Sequence, residues 1–178
     1  MKKLAVVLAL LPLFGFSQSI FDKYENRDDV ASVTVNRSMI RLAGSFAALD
    51  EDDKDSQDFK DIAQSLNGIK VFVTQDKSVS EDMGATVKKY LKSADLEELM
   101  RVKDKDTNVK FYIKTGKDED HVSELLMFVS GIGKTDLDIN GRKFESVLVS
   151  MTGDIDLNKI GSLTKKMDLP SDLEKAGK

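Results

Sequence analysis

The second half of the chain contains four short runs with the pattern of β-strands, and these runs limit the possible folds more than any other feature. They cover residues 99–103, 109–114, 122–129 and 144–151. The first three are joined by short, turn-rich segments at 104–108 and 115–120. Because consecutive strands with short links form hairpins, this half is predicted to build a mostly antiparallel sheet.

The first half adds two further strand patterns. In residues 30–36, Ala31, Val33 and Val35 alternate with polar residues, which predicts a half-buried strand. Residues 69–73 form a short β-branched run, which is typical of a strand inside a sheet. We therefore expect strands from both halves of the chain.

Helical periodicity occurs in four segments. The predicted helix faces are Met39, Leu42, Phe46 and Leu49; Phe59, Ile62, Ala63 and Leu66; Met83, Val87, Tyr90, Leu91 and Ala94; and Leu157, Ile160, Leu163 and Met167. An acidic link at 50–58 separates the first two helices, and Asn67 with Gly68 is predicted to end the second. Ser78 and Glu81 have the spacing of a capping box for the third helix, and Pro170 ends the fourth.

Together these patterns predict an α+β fold, with a mostly antiparallel sheet and helices packed on one face. Phe111 and Val147 on the sheet and Leu163 on the closing helix are expected to share one core. Methionines that lie among apolar neighbours, Met39 included, are interpreted as core residues. A single domain is predicted over residues 18–167, followed by a flexible tail at 168–178.

The N-terminus has the pattern of a secretory signal peptide over residues 1–17. Lys2 and Lys3 precede an uncharged apolar run, and Gly15 and Ser17 are the small residues of a cleavage site before Gln18. The run is well short of the roughly 20 apolar residues that a spanning helix requires. We therefore expect an exported protein, periplasmic or secreted, without a transmembrane anchor.

Composition excludes several kinds of chemistry. The 178 residues include one histidine and no cysteine, so disulfides, thiolate catalysis and cysteine-ligated zinc are ruled out. The net charge of −4 does not favour binding to nucleic acid. From the sequence we assign no catalytic, cofactor-binding or metal-binding residue and no cofactor.

Residues 128–135 loosely resemble a phosphate-binding loop, since Gly133, Lys134 and Thr135 follow a strand. That motif requires a glycine where Phe128 stands, and it requires a helix to begin at the lysine. An ordinary loop is the favoured interpretation.

Asp136, Asp138, Asn140 and Gly141 match the opening of a calcium loop. The closing glutamate of such a loop is missing, because position 147 is a valine. Asn-Gly is also the strongest two-residue hairpin turn. We therefore predict a β-hairpin over residues 136–145, with calcium binding left open as the alternative.

His121 follows Asp118, Glu119 and Asp120 and could in principle act as a base. Its position in a charged tip between two strands favours a solvent-exposed residue instead. Glu97 and Glu98 are adjacent in a predicted strand, so they point to opposite faces and cannot form an acid pair.

Five stretches of the chain resemble an exported family of Bacteroidota proteins known as domain of unknown function 4252. They are residues 20–24, 33–35 with 38–40, 66–70, 96–100 and 152–157. The resemblance implies export and a single domain, and it supplies no site residues because the family has no established activity. The sequence Gly153 to Leu157 is interpreted as a strand end, a tight turn and an N-cap at Asp156.

The leading functional prediction is an exported, non-enzymatic domain that binds a protein partner or supports the cell envelope. One alternative is an accessory or sensory component of an envelope signalling system. The other is a hydrolase that uses carboxylates alone, which requires two carboxylates in one cleft.

Overall fold

The computed structural model of the chain describes residues 20–47, 54–132, 138–139 and 142–159. The predicted signal peptide and the predicted tail lie outside these residues. So does most of the predicted final helix, of which only a 3₁₀ turn at Leu157–Lys159 is described.

Six strands form one sheet in which every neighbouring pair is antiparallel. In chain order the strands are β1 (Val30–Asn36), β2 (Leu66–Thr74), β3 (Glu97–Asp104), β4 (Thr107–Thr115), β5 (His121–Ser130) and β8 (Ser146–Asp156). Their order in space is β1-β2-β8-β5-β4-β3, and the short strands β6 (Asp138–Ile139) and β7 (Arg142–Lys143) form a separate pair. The antiparallel sheet confirms the predicted α+β class.

Three helices accompany the sheet: α1 (Arg37–Ala47), α2 (Lys54–Ser65) and α3 (Lys77–Ser93). A 3₁₀ turn at Asp22–Tyr24 precedes β1. Asp76 caps α3, because its carboxylate accepts a hydrogen bond from the Val79 amide at 3.0 Å. The capping box predicted at Ser78 is therefore wrong by two residues, and Ser78 lies inside the helix.

One face of the sheet, here called the α3 face, packs against α3 and the N-terminal turn. Its core contains Phe21, Tyr24, Phe72, Met83 and Leu126, all with no exposed surface. Phe21 meets the ring of Tyr90 edge to face, with 5.1 Å between ring centroids. The long helix and the turn thus bury the aromatic side chains of the domain together.

The opposite face, here called the α1–α2 face, packs against the two short helices. Ile40 of α1 and Ile62 of α2 pack there against Ile113, Leu125 and Ile155 of the sheet. Leu125 and Leu126 are consecutive in β5, yet they belong to the two different cores. Helices therefore cover both faces of the sheet, whereas the sequence predicted helices on one face only. Both faces need cover because the central strands carry apolar residues at consecutive positions.

Two predicted surfaces differ from the structure. Strand β1 has the predicted bounds, but it is an edge strand and Val33 is 55 % exposed. In α1, Met39 and Leu42 are exposed, whereas Ile40 and Gly44 are buried. A methyl group at Gly44 would lie 3.0 Å from Cβ of Ala63, so this glycine lets α1 and α2 approach closely on the Ile40 side.

The boundary between α2 and β2 also differs from the prediction. Helix α2 begins at Lys54, within the segment predicted as an acidic link. Strand β2 begins at Leu66 and continues through Asn67 and Gly68, which were predicted to end the helix. Gly68 pairs with Asn36 on one side and Thr152 on the other, so pairing on both sides overrides the local stop signal.

The shared core predicted for Phe111, Val147 and Leu163 is described only in part. Phe111 is half-buried and packs on the α1–α2 face, and Val147 is half-buried. Leu163 lies outside the described residues. Gly153 is inside β8 and not at a turn, since β8 runs on to Asp156.

Candidate functional site: a polar cleft on the α3 face

A cleft of about 590 Å³ opens on the α3 face, and it is called the polar cleft below. Its walls come from the five neighbouring strands β1, β2, β8, β5 and β4, together with Tyr90 of α3 and Asp22 of the N-terminal turn. The volume lies within the roughly 300–1,000 Å³ typical of ligand sites. Size alone therefore permits a small molecule or a few side chains of a partner.

The polar cleft forms because side chains on this face change from apolar to polar along the strands. Strand residues two apart share a face, so Phe72 is followed on the same side by Lys70, and Leu148 by Ser150. In β5 the corresponding change is from Leu126 to Glu124. Cross-strand pairing aligns Lys70 with Ser150, which gives a polar row beside the aromatic core.

Glu124 is the buried acid of the polar cleft, with 8 % of its surface exposed. The Tyr90 hydroxyl donates a hydrogen bond to its Oε2 at 2.7 Å. Burial raises the pKa of the Glu124 carboxyl, and the Tyr90 hydrogen bond and the charge of Lys114 only partly oppose that rise. Burial also raises the pKa of Tyr90, and the bond to Glu124 adds to this.

Lys70 lies at the other side of the polar cleft and is paired with two acids. Its ammonium group binds Asp22 and lies 2.8 Å from Oε1 of Glu25. Partial burial would lower the pKa of Lys70, but the two carboxylates outweigh it and the pKa is raised. Thr34 also donates to Glu25, at 3.2 Å, so these contacts join the N-terminal turn to β1 and β2.

Lys114 supplies a second cation, and it is exposed. Across the described residues, it has no ion-pair partner. In the register of β4 with β5, Lys114 lies opposite Glu124. The polar cleft thus offers one unpaired cation, one buried acid and several hydroxyl groups, which is a set suited to hydrogen bonding with a polar ligand.

His121 does not line the polar cleft. It begins β5 and is half-buried, which corrects the predicted full exposure. Its Nδ1 lies 2.6 Å from Oδ1 of Asp118, and this contact lowers the pKa of the Asp118 carboxyl. The pair joins the β4–β5 turn to the first residue of β5.

The hairpin predicted within residues 136–145 is confirmed by the pairing of β6 with β7, in which Ile139 faces Arg142. Its turn residues, Asn140 and Gly141, lie outside the described residues, as does Asp136, so calcium binding there stays an open alternative. Residues 133–135 of the glycine-rich stretch are also outside. In the parts of the chain that are described, no group of three or more acidic or histidine side chains could hold a metal ion.

Two further sequence expectations concern the first hairpin. Asp104 faces Thr107 across a tight turn between β3 and β4, as the turn-rich sequence predicts. Glu97 pairs with Ile113 and Glu98 with Tyr112, residues that belong to opposite faces of the sheet. The two glutamates are therefore separated as predicted.

Sequence reasoning missed Glu124, Tyr90 and Lys70 as site residues. One signal was present for Glu124, because it is an acidic residue within β5 (HVSELLMFVS), a strand that is otherwise strongly apolar. A charge at such a position requires a partner. The partner, Tyr90, comes from a different element and could not be identified from spacing.

The sheet, its helices on both faces and the polar cleft define a small antiparallel α+β domain. The chain belongs to the family described as Domain of unknown function (DUF4252), whose model matches residues 24–163. Comparison with curated proteins and with solved structures gave no match. No helix within the described ranges is long and apolar enough to cross a membrane.

Proposed function

We propose that this protein is an exported, non-enzymatic binding domain, and that its polar cleft receives a polar segment of a protein partner in the cell envelope. The environment of Lys114 supports this most directly. Lys114 is an exposed cation opposite the buried acid Glu124, and Lys114 has no ion-pair partner in the described structure. Lys70, the other lysine of the cleft, is already paired with Asp22 and Glu25, so Lys114 is the cation that can bind a ligand.

Export is supported by the signal-peptide pattern of residues 1–17. Protein isolated from the envelope or the medium is expected to begin at Gln18. Mass spectrometry of the intact N-terminus tests this, and material that still begins at Met1 would contradict export by cleavage at this site.

The binding proposal is tested by charge reversal at matched lysines. Lys114→Glu changes the polar cleft, whereas Lys103→Glu changes another exposed lysine, on β3 and outside the cleft. A photo-crosslinking residue at Ser123 captures the partner in intact cells, and the Lys114→Glu exchange is expected to reduce that product at least tenfold. The Lys103→Glu control should leave it unchanged.

Equal yields from the two lysine variants would contradict the proposal. So would equal capture from a crosslinking residue placed at Lys103. Circular dichroism of each variant shows whether the fold is kept, which is expected because both positions are exposed.

A carboxylate hydrolase is the second candidate, because Asp22 and Glu124 line the same cleft and burial raises the pKa of Glu124. Against it, Lys70 already binds Asp22. Hydrolysis of peptidoglycan fragments or chromogenic glycosides by the wild type, with loss of that activity in Glu124→Gln, would establish this candidate in place of the first.

A further inference from the structure

The two edges of the sheet are built differently. Edge strand β3 carries charge at five of its eight residues, and its pairing with β4 is interrupted by a bulge between Glu98 and Met100. Charges and bulges are the usual means by which an edge strand avoids pairing with another chain. Leu99 and Val102 are exposed on β3, but each lies beside charged neighbours.

Edge strand β1 has none of these protections. Its seven residues, VASVTVN, include no charge and no proline, and its register with β2 is continuous from Val30 to Asn36. No strand in the described part of the molecule pairs with its outer edge. Five of the seven residues are exposed, and Val33 at the centre is 55 % exposed.

The sequence of β1 is also complementary to itself. When two copies run antiparallel about Val33, each Ala31 faces a Val35 and each Ser32 faces a Thr34. Apolar residues then meet on the α1–α2 face. Ser32 and Thr34, whose hydroxyl groups donate to Glu25 of their own chain, lie opposite each other on the α3 face. No like charges oppose each other, which is the arrangement that favours cross-strand pairing.

We propose that β1 is the interface between two copies of this chain, which pair antiparallel about Val33 and join their sheets across a two-fold axis. Such an isologous contact uses the same patch twice, as a two-fold axis requires. Met39 and Leu42 are two further exposed apolar residues, in helix α1, which begins directly after β1 in the chain.

A contact built from one strand and a few helix residues is small, and interfaces near the lower limit of about 1,000 Å² are weak. Self-association is therefore expected to be weak. The polar cleft is compatible with this arrangement, since it lies on the α3 face and β1 contributes only Thr34, Val35 and Asn36 to its lining.

Sedimentation equilibrium of the mature chain between about 1 and 500 µM measures the association. Val33→Lys and Val33→Glu each place like charges opposite each other at the axis, and each is expected to weaken self-association at least tenfold. A mixture of the two variants places opposite charges there and should associate again as a mixed dimer. Val102→Lys on β3 is the control, because Val102 is also an exposed valine on an edge strand.

A wild-type chain that stays monomeric at 500 µM would overturn the proposal. So would equal weakening by the Val33 and Val102 variants, or a mixture that fails to associate. If a charged variant does not fold, Val33→Cys replaces it, because the natural chain has no cysteine. Under mild oxidation this variant should crosslink at least tenfold more than Val102→Cys, and equal crosslinking would also overturn the proposal.

Discussion

The two faces of the sheet are formed by the same strands but differ in the helices and side chains that pack on them. On the α3 face, one long helix and the N-terminal turn bury the aromatic residues, and the rest of the face is polar. On the α1–α2 face, two short helices bury an aliphatic core, while residues such as Val71 and Val149 stay half-buried. Alternation along each strand therefore lets one sheet keep a polar cleft on one side and aliphatic packing on the other.

The largest expected effect separates two adjacent residues of β2. Phe72 is fully buried on the α3 face, so Phe72→Ala should lower the free energy of unfolding by about 3–5 kcal/mol. Val71 points to the other face and is half-buried, so Val71→Ala should cost less than about 1.5 kcal/mol. Urea unfolding measures both, and equal losses would mean that the faces are equally packed.

A smaller effect is expected for a buried hydrogen bond on the α3 face. The Tyr24 hydroxyl donates to Oδ2 of Asp82 at 2.6 Å and lies 2.9 Å from Oγ1 of Thr86. Tyr24→Phe should therefore cost about 1–2 kcal/mol.

Tyr112→Phe is the matched control for that substitution. Tyr112 is also buried, but its hydroxyl has no hydrogen-bond partner among the described residues. The change should be close to neutral by urea unfolding. Comparable losses in the two variants would show that the hydrogen bonds of the Tyr24 hydroxyl do not contribute to the free energy of unfolding.

Much of the fold was predictable from the sequence, because alternation and turn residues are local. The bounds of β1 and the β3–β4 turn follow from them. The buried side of α1 did not follow, since the helix has two apolar sides and the choice depends on how closely Gly44 lets α2 approach. The polar cleft could not be predicted, because it depends on the order in which distant strands meet.

The polar cleft itself predicts a pH dependence. Because the pKa of Glu124 is raised in the folded state, this carboxyl keeps its proton to a higher pH in the native chain than in the unfolded chain, where its pKa has the ordinary value of about 4.3. This residue therefore lowers stability as the pH rises from that value through its folded pKa, and its effect then levels off.

Glu124→Gln removes this dependence and keeps an acceptor for Tyr90. The stability of the variant relative to the wild type should therefore increase between pH 4 and neutrality. Unfolding curves at several pH values measure the difference, from which the effects of acids with lowered pKa, such as Asp82, largely cancel. A difference that does not change with pH would contradict the assigned environment of Glu124.

The smallest expected effect is on the exposed side of α1. Leu42 is 51 % exposed, so Leu42→Ser should change the free energy of unfolding by less than about 0.5 kcal/mol at low micromolar protein. Thermal unfolding is sufficient to measure this. A loss above about 1.5 kcal/mol would show that this side of the helix is covered in the monomer.

The position of β8 in the sheet has a consequence for the order of folding. This strand is the last of the sheet in chain order, yet it lies between β2 and β5 and pairs with both. Until β8 is present, β1 with β2 and β3 with β4 and β5 can form only two separate pieces. Closure then depends on contacts between residues far apart in the chain, which is typical of slow folding. A nascent chain of this design remains incompletely folded until β8 has been synthesised.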